Sequence, residues 1–509
     1  MRAAVIDIGS NSLKLIIGEK EDNDIKILES LKNVNPLGKY SFFRGRISQE
    51  LINQTISLLE KYKQVIKEYE VTDVRVIATT AVREARNKDI FLDTILRKTG
   101  LKIEVLNVGD VVYYIDAYLY HKLKKTFPIH EKNLVIAELG AGSLDISIVE
   151  KGNALMSVGF PIGTLRLKQF RSRIEGSLEE TYTAVKEYIE HEIVYLKKLI
   201  GDFPVDDVVL IDESYSSFLQ NILPNTKRES NFFRFMLSES EEFLSNLADR
   251  TIDEIIQAYN LPSEIAEIID GYAIILNTLF TLTKKKQIYI LETSLSEAIL
   301  ANVLFNFDLS IENNKTKQLL SIAHFLCQKY NMDLDHARHV ALLCEQFFHQ
   351  LKDALGLEQK DLIYLSLAAY LHDIGMFINN RAHHKHAEYI ISSLNLFRLT
   401  DDEIKIIACI ARYHRKSAPL PTHVLYNSLS AQQQILVQKL SAILRIANAL
   451  DRSHTQKIKG VELKFNKAQD ITVVVSTDKN LSLEKAYFMD KKKMFEEITG
   501  NKINLKIKS

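Results

Sequence analysis

Val5-Ile6-Asp7-Ile8-Gly9-Ser10-Asn11-Ser12-Leu13-Lys14-Leu15-Ile16-Ile17-Gly18 is the stretch on which the fold turns. Two apolar, β-prone runs flank a polar turn from Asp7 to Ser12, the pattern of a β-hairpin at the start of the chain. The turn holds a carboxylate, a glycine and small hydroxyl and amide side chains. Such a loop turns backbone N–H groups and hydroxyls toward a phosphate, while Asp7 faces a cation or a water. An ordinary Asp/Gly/Ser/Asn hairpin turn has the same composition, so this stretch alone leaves both readings open.

A second copy decides between them. Asn133-Leu134-Val135-Ile136-Ala137-Glu138-Leu139-Gly140-Ala141-Gly142-Ser143-Leu144-Asp145-Ile146-Ser147-Ile148-Val149 is again strand, acidic residue, Gly-rich turn, strand. Two such hairpins far apart in the chain suggest a duplicated clamp, two lobes closing on phosphates. Further motifs follow in Ile77-Ala78-Thr79-Thr80-Ala81-Val82-Arg83-Glu84-Ala85-Arg86-Asn87 and Phe160-Pro161-Ile162-Gly163-Thr164-Leu165-Arg166-Leu167. With these four motifs in order, the chain resembles the exopolyphosphatase/guanosine pentaphosphate phosphatase (Ppx/GppA) family of the actin-like ATPase superfamily. The resemblance implies two actin-like (ribonuclease H-like) α/β lobes and phosphate binding by Gly9, Ser10, Asn11, Ser12, Gly140, Gly142 and Ser143. It also implies a homodimer.

Hydrolysing a phosphoanhydride needs donors for the oxygens, a divalent cation to screen their charge and a base for the water. The hairpins supply donors. Asp7, Glu138 and Asp145 are the candidate Mg²⁺ ligands, and Asp7 and Glu138 are candidate catalytic residues as well. Arg83 and Arg166 offer fixed positive charge against a polyanion; an arginine in an ordinary ion pair is the alternative for each. The family's catalytic glutamate maps onto Val112 in Gly109-Asp110-Val111-Val112-Tyr113-Tyr114-Ile115-Asp116, and valine accepts no proton. Asp116, one helical turn further on, is the candidate base, with Asp110 the other nearby carboxylate. Other departures are Glu138 for Asp, Ala141 for Gly, Asp212-Glu213-Ser214-Tyr215 without the family's glycine pair, and Ser294-Leu295-Ser296-Glu297-Ala298 without its Arg and Gly.

Outward from the hairpins, the pattern divides the chain into lobe I (1–127), lobe II (128–305), an all-helical domain (306–457) and a small α+β cap (458–509). Lobe I alternates short strands, Ile25–Leu28, Val74–Thr79 and Lys102–Leu106, with helices after Ser48 and over Ile90–Arg97. Lobe II continues with a helix over Tyr182–Leu199, the strand Val208–Ile211, helices Glu241–Tyr259 and Ser263–Leu279, and the strand Gln287–Leu291.

The helical domain gathers histidines. Tyr370-Leu371-His372-Asp373-Ile374-Gly375, with His336 upstream, resembles the HD superfamily of metal-dependent phosphohydrolases. The further candidate ligands are His384, His386, His414 and Asp451, a set suited to Mn, Fe or Zn rather than Ca. Asn448 stands where that superfamily has its last aspartate, and histidines that hydrogen-bond one another are the alternative. Tyr413, His414, Arg415 and Lys416 could equally line a polyphosphate channel.

Composition bounds the rest. The 509 residues are 46% hydrophobic and 26% charged, with zero formal net charge, so no global attraction to nucleic acid or membranes is expected. Cys327, Cys344 and Cys409 stand in no metal or redox spacing, which with the absence of a leader pattern at Met1 points to the cytoplasm. The expected activity is release of terminal phosphate from inorganic polyphosphate, or of the 5′-phosphate of guanosine pentaphosphate. The alternatives are a polyphosphate- or guanosine tetra/pentaphosphate-sensing regulator and an HD-type phosphohydrolase.

Overall fold

The computed structural model describes all residues except 23, 124–130, 202, 230–231, 249, 306–311, 395, 397–398, 416–417, 467–469 and 509. Two compact units emerge, Met1–Glu312 and Asn313–Ser509. The expected borders after 127 and after 305 fall on or beside residues outside the described set, as does Lys416.

Unit one holds two sheets. The first contains β1 (Arg2–Ile8), β2 (Ser12–Glu21), β3 (Asp24–Val34), β4 (Asp73–Ala78) and β5 (Glu104–Val105), in the order β3-β2-β1-β4-β5. The second contains β6 (Asn133–Leu139), β7 (Leu144–Glu150), β8 (Asn153–Phe160), β9 (Asp207–Ile211), β10 (Lys227–Glu229), β11 (Phe232–Met236) and β12 (Gln287–Leu291). Its order is β10-β11-β12-β9-β6-β7-β8. From β8 to β12 the second sheet repeats the first: β6 and β7 pair antiparallel like β1 and β2, and β9 runs parallel to β6 as β4 does to β1. These are the two actin-like lobes. The run Ala3–Ile8, buried throughout and apolar apart from Asp7, explains why β1 takes the central place, since a strand flanked by partners and covered on both faces is built of apolar residues.

Several elements depart from the periodicity. The stretch Lys102–Leu106 pairs only over Glu104–Val105. The expected helix Glu241–Tyr259 is two helices, Leu237–Leu247 and Ile252–Tyr259. The break has a local cause: Thr251 accepts from the Glu254 N–H while Glu254 accepts from the Thr251 N–H, a capping box that starts a new helix. Ser263–Leu279 likewise resolves into Ser263–Ala266 and Ile269–Thr283. The strands β8, β10 and β11 carry no alternation strong enough to announce themselves. Ser48 does cap its helix, Gln49–Glu68, accepting from the Leu51 N–H.

Unit two packs the helix Leu334–Leu355 against Asp361–Leu371 and Ala431–Leu450. Val340, Leu343, Phe347 and Leu351 form its buried stripe. A sheet in the order β13-β14-β15 follows: β13 (Val461–Phe465), β14 (Ile471–Ser476) and β15 (Ile503–Lys508). Between β14 and β15 the helix Ser482–Thr499 packs along Ala431–Leu450. No helix among the described residues is long and apolar enough to cross a membrane.

Candidate active site

Both hairpin turns close with the same bond. The Gly9 N–H donates to Ser12 O at 3.0 Å, and the Gly140 N–H to Ser143 O at 2.9 Å. Their carbonyls are drawn outward by neighbouring segments. Ser10 O and Asn11 O accept from the N–H groups of Gly38 and Asn35, and Gly140 O and Ala141 O from Thr164 and Leu165. These four carbonyl oxygens are therefore already satisfied by backbone donors. A Cβ on Gly163 would lie 2.3 Å from the Ser143 nitrogen, so only glycine lets the helix Thr164–Arg171 start against the second hairpin.

The two turns touch. A Cβ on Gly142 would sit 2.8 Å from Ser10 Oγ and 2.7 Å from the Phe42 ring. Thr80 Oγ1 and Ser143 Oγ are 3.1 Å apart. Arg166 donates Nε to Gly142 O at 2.7 Å, pairs with Glu84 and stacks 3.8 Å from the Phe42 ring centre. Arg83 donates to Leu106 O at 2.7 Å and to Thr80 Oγ1 at 3.2 Å. In this state both arginines are engaged with protein groups, Arg166 in the ion pair that was its alternative reading.

Beneath the turns lie the carboxylates. Glu138 and Asp145 face each other in the β6–β7 register. Asp7 accepts from Ser296 Oγ at 3.1 Å, while its Oδ1 and that of Asp145 are buried with no hydrogen-bond partner. Burial pushes the Glu138 carboxyl up to about 8, with Asp145 and Asp7 adding repulsion. Asp7 and Asp145 are also raised by burial, against the attraction of Lys14 and Arg83 respectively. The Lys14 ammonium pairs with Glu213. Burial opposes its charge, yet Glu213, Asp7 and Glu138 outweigh burial and raise its pKa. Orphaned carboxyl oxygens with elevated pKa values hold protons that a cation would displace, and a hard divalent cation on oxygen ligands fits that donor set.

Asp116 lies on the helix Val108–Leu123, which packs on β7, β8 and the helix Leu295–Phe305. Its Oδ1 has no partner and burial pushes the carboxyl up to about 8. Asp110 is committed elsewhere: it accepts from the Asn107 N–H while its own N–H donates to Asn107 Oδ1, both at 2.9 Å, fixing the helix start.

Unit two builds a different centre. His372, His383 and His414 place Nδ1 2.7, 2.9 and 2.6 Å from the carbonyls of Ala369, Asn380 and Ala411. A carbonyl only accepts, so each Nδ1 carries a proton and each Nε2 is turned inward; where burial keeps a ring neutral, that Nε2 is a bare lone pair. These nitrogens lie 3.5, 3.3 and 3.6 Å from Asp373 oxygens, and His383 Nε2 is 3.2 Å from His414 Nε2. Burial lowers the His372 and His414 pKa values. For Asp373 burial raises the pKa, but His372, His414, His383 and His336 outweigh it and hold the carboxyl well below the usual range. Facing lone pairs around a carboxylate are a donor set for a borderline metal. His336 Nδ1 bonds Asp451 Oδ2 at 2.8 Å, leaving its buried Nε2 without a partner. Among the described residues, Asp373/His383/His414 and His336/Asp373/His454 bring their donor atoms within 4.8 Å of one another.

The description "Ppx/GppA phosphatase family" matches residues 16–307, and "Ppx/GppA phosphatase, domain III" matches residues 320–496. The chain belongs to the Ppx/GppA phosphatase family. A guanosine-5′-triphosphate,3′-diphosphate pyrophosphatase of Aliivibrio fischeri is 21% identical over 454 residues, 87% of this chain and 86% of that one. Two solved structures share the fold. One is the Aquifex aeolicus Ppx/GppA family member, with TM-score 0.52 and 23% identity, covering 60% of this chain and 98% of its own. The other is an exopolyphosphatase from Cytophaga hutchinsonii, with TM-score 0.53 and 20% identity over the same shares. The named relatives are phosphoanhydride hydrolases.

For this Ppx/GppA chain, the structure brings Gly9, Ser10, Gly142 and Ser143 together and sets Asp7, Glu138 and Asp145 below them. It brings His383, not His386, to the histidine centre; His386 stays half-buried on the helix His383–Ser392. The reason is the turn at Ala382, whose positive φ of 63° points the first helical residue inward. Sequence reasoning missed Lys14, Glu213, Thr80 and Phe42 at the clamp. Thr80 lay within the motif Ile77–Asn87, and Lys14 stood out as the cation between Leu13 and Leu15.

Proposed function

We propose that this chain releases terminal phosphate from inorganic polyphosphate, or the 5′-phosphate of guanosine pentaphosphate, in the clamp of unit one with Mg²⁺. The duplicated pair of hairpins over buried carboxylates carries this reading. Asp7, Glu138 and Asp145 would hold the Mg²⁺, which supplies charge neutralisation at the anhydride. The N–H groups and hydroxyls of Ser10, Asn11, Ser12, Gly142 and Ser143 grip the phosphate oxygens. Water attacks the terminal phosphorus, the P–O bond to the remaining chain breaks, and the water's proton passes to Asp116. Access for the substrate requires the contact between the hairpins to open, with Arg166 and Arg83 exchanging protein acceptors for phosphate. A homodimer is part of the same reading, and light scattering tests it.

Phosphate release from long-chain polyphosphate with Mg²⁺, measured beside binding of the same chain, is the test. Turnover that collapses in Asp7→Ala and Glu138→Ala supports the clamp. Tight binding with no turnover favours the regulator, the reading that Val112 at the family's glutamate position supports. Turnover that survives both substitutions but is lost in His372→Ala moves the chemistry to the helical domain. There we propose a bound Mn, Fe or Zn on Nε2 of His372, His383 and His414 with Asp373, beside His336 and Asp451. Metal analysis of the purified protein should find it, and Asp373→Asn should lose it.

A further inference from the structure

A cavity of about 330 Å³ opens beside the histidine centre of unit two. One side of its wall comes from the end of the helix Ala431–Leu450 with the turn after it and from the helix Ser482–Thr499, which pack side by side; the other comes from the segments that carry Asp373, His383 and Arg415. Among the described residues the lining carries four cations, Arg415, Arg445, Arg452 and Lys491, against the carboxylate of Asp373, with Lys491 paired to Asp490 outside the lining. In a chain of zero formal net charge, that excess is a local feature. The Asp373 charge is already surrounded by the rings of His372, His383 and His414. Such a wall is built for an anion.

The cavity is not suited to a bare anion alone. Tyr487 and Met376 contribute apolar surface. The Arg452 guanidinium stacks 4.7 Å from the Tyr487 ring centre, which fixes the ring as a platform. The volume lies at the lower end of small-molecule sites, enough for one planar ring system and a phosphate but not for a long polymer. Arg445 is held rigidly, with only 7% of its surface exposed and Nη1 donating to Tyr413 O at 3.2 Å. A buried, preorganised guanidinium loses little entropy when it meets a phosphate.

We infer that this cavity is a second ligand site, distinct from the hairpin clamp, for a phosphomonoester carried on an aromatic body, of the size of a nucleoside monophosphate. Arg452 and Lys491, with Arg445 behind them, hold the phosphate, and Tyr487 stacks the ring. The inference stands on unit two alone and does not depend on the clamp being catalytic.

The test is calorimetric titration of the full chain with guanosine 5′-monophosphate and, separately, with inorganic pyrophosphate. Saturable binding of the monophosphate is expected, weakened at least tenfold in Arg452→Gln/Lys491→Gln and about fivefold or more in Tyr487→Ala, a stacking loss of about 1 kcal/mol or above. Arg452, Tyr487 and Lys491 are each only partly buried, so these variants keep the fold, and circular dichroism verifies it. Asp7→Asn should leave this binding unchanged. Absence of binding, or binding lost in Asp7→Asn but kept in Arg452→Gln/Lys491→Gln, overturns the site. Pyrophosphate binding that Tyr487→Ala leaves untouched, with no monophosphate binding, overturns the aromatic-body assignment.

Discussion

The buried carboxylates of the two units are driven in opposite directions. In the clamp, burial and mutual repulsion win, and Glu138 is pushed up to about 8. In the histidine centre, four imidazoles outweigh the same burial and hold Asp373 low. One centre holds protons on its crowded carboxyls that a bound cation would displace. The other surrounds its carboxylate with imidazoles whose Nε2 atoms face it. The contrast teaches that burial alone does not set a carboxylate's charge; the identity of the nearest neighbours does.

The largest expected effect separates the centres by activity. Asp7→Asn should lower polyphosphate turnover by about 10³-fold, equivalent to about 4 kcal/mol of transition-state stabilisation. Initial rates of phosphate release check this, and a loss below tenfold would break the assignment of chemistry to the clamp. Next comes the base. Val112→Glu restores the family arrangement and should raise turnover by about 10²-fold, while Asp116→Asn should lower it by a similar factor, the range typical of general-base catalysis. Polyphosphate binding should change little in either variant. Since Val112 is buried, Val112→Glu should also lower the melting temperature.

The pH dependence of stability sharpens the contrast directly. Glu138 and Asp116 carry folded-state values near 8 against an unfolded value near 4. Between those limits the folded chain binds the extra proton, so unit one loses stability as pH rises from about 4 to about 8, by at most about 1.4 kcal/mol per pH unit and group. Asp373 has the reverse sign. Its contribution is present above about pH 4 and is lost as pH falls through its depressed folded value. Hydrogen exchange, corrected for intrinsic rates, should show β6 and β7 loosening between pH 5 and pH 8 while Asp361–Leu371 does not. Glu138→Gln should flatten the slope in unit one. The smallest effect is Thr80→Val, which removes one hydroxyl of the Thr80–Ser143 contact and should cost about 1 kcal/mol in a denaturant titration.

Much of the clamp was legible because its parts are local. A hairpin's acid, turn and second strand lie within a few residues, so Asp7 to Ser12 and Glu138 to Asp145 announced themselves in one dimension. The paired sheets followed from the same two stretches. The ends of helices were less legible where a capping residue interrupts an apolar period, as Thr251 does.

What the sequence by itself determined is the chemistry available: two phosphate-type turns, their carboxylates, a histidine-rich helical region, and Val112 where a base was expected. Tertiary structure alone decided which of these groups meet. It paired Lys14 with Glu213, placed Thr80 and Phe42 against the second hairpin, and chose His383 over His386 through the backbone at Ala382. It also assembled Arg445, Arg452, Tyr487 and Lys491 around one cavity from two helices and the turn that follows the first of them. The physical reason is that burial, charge balance and lone-pair direction depend on distances through space, and a one-dimensional pattern constrains only neighbours along the chain.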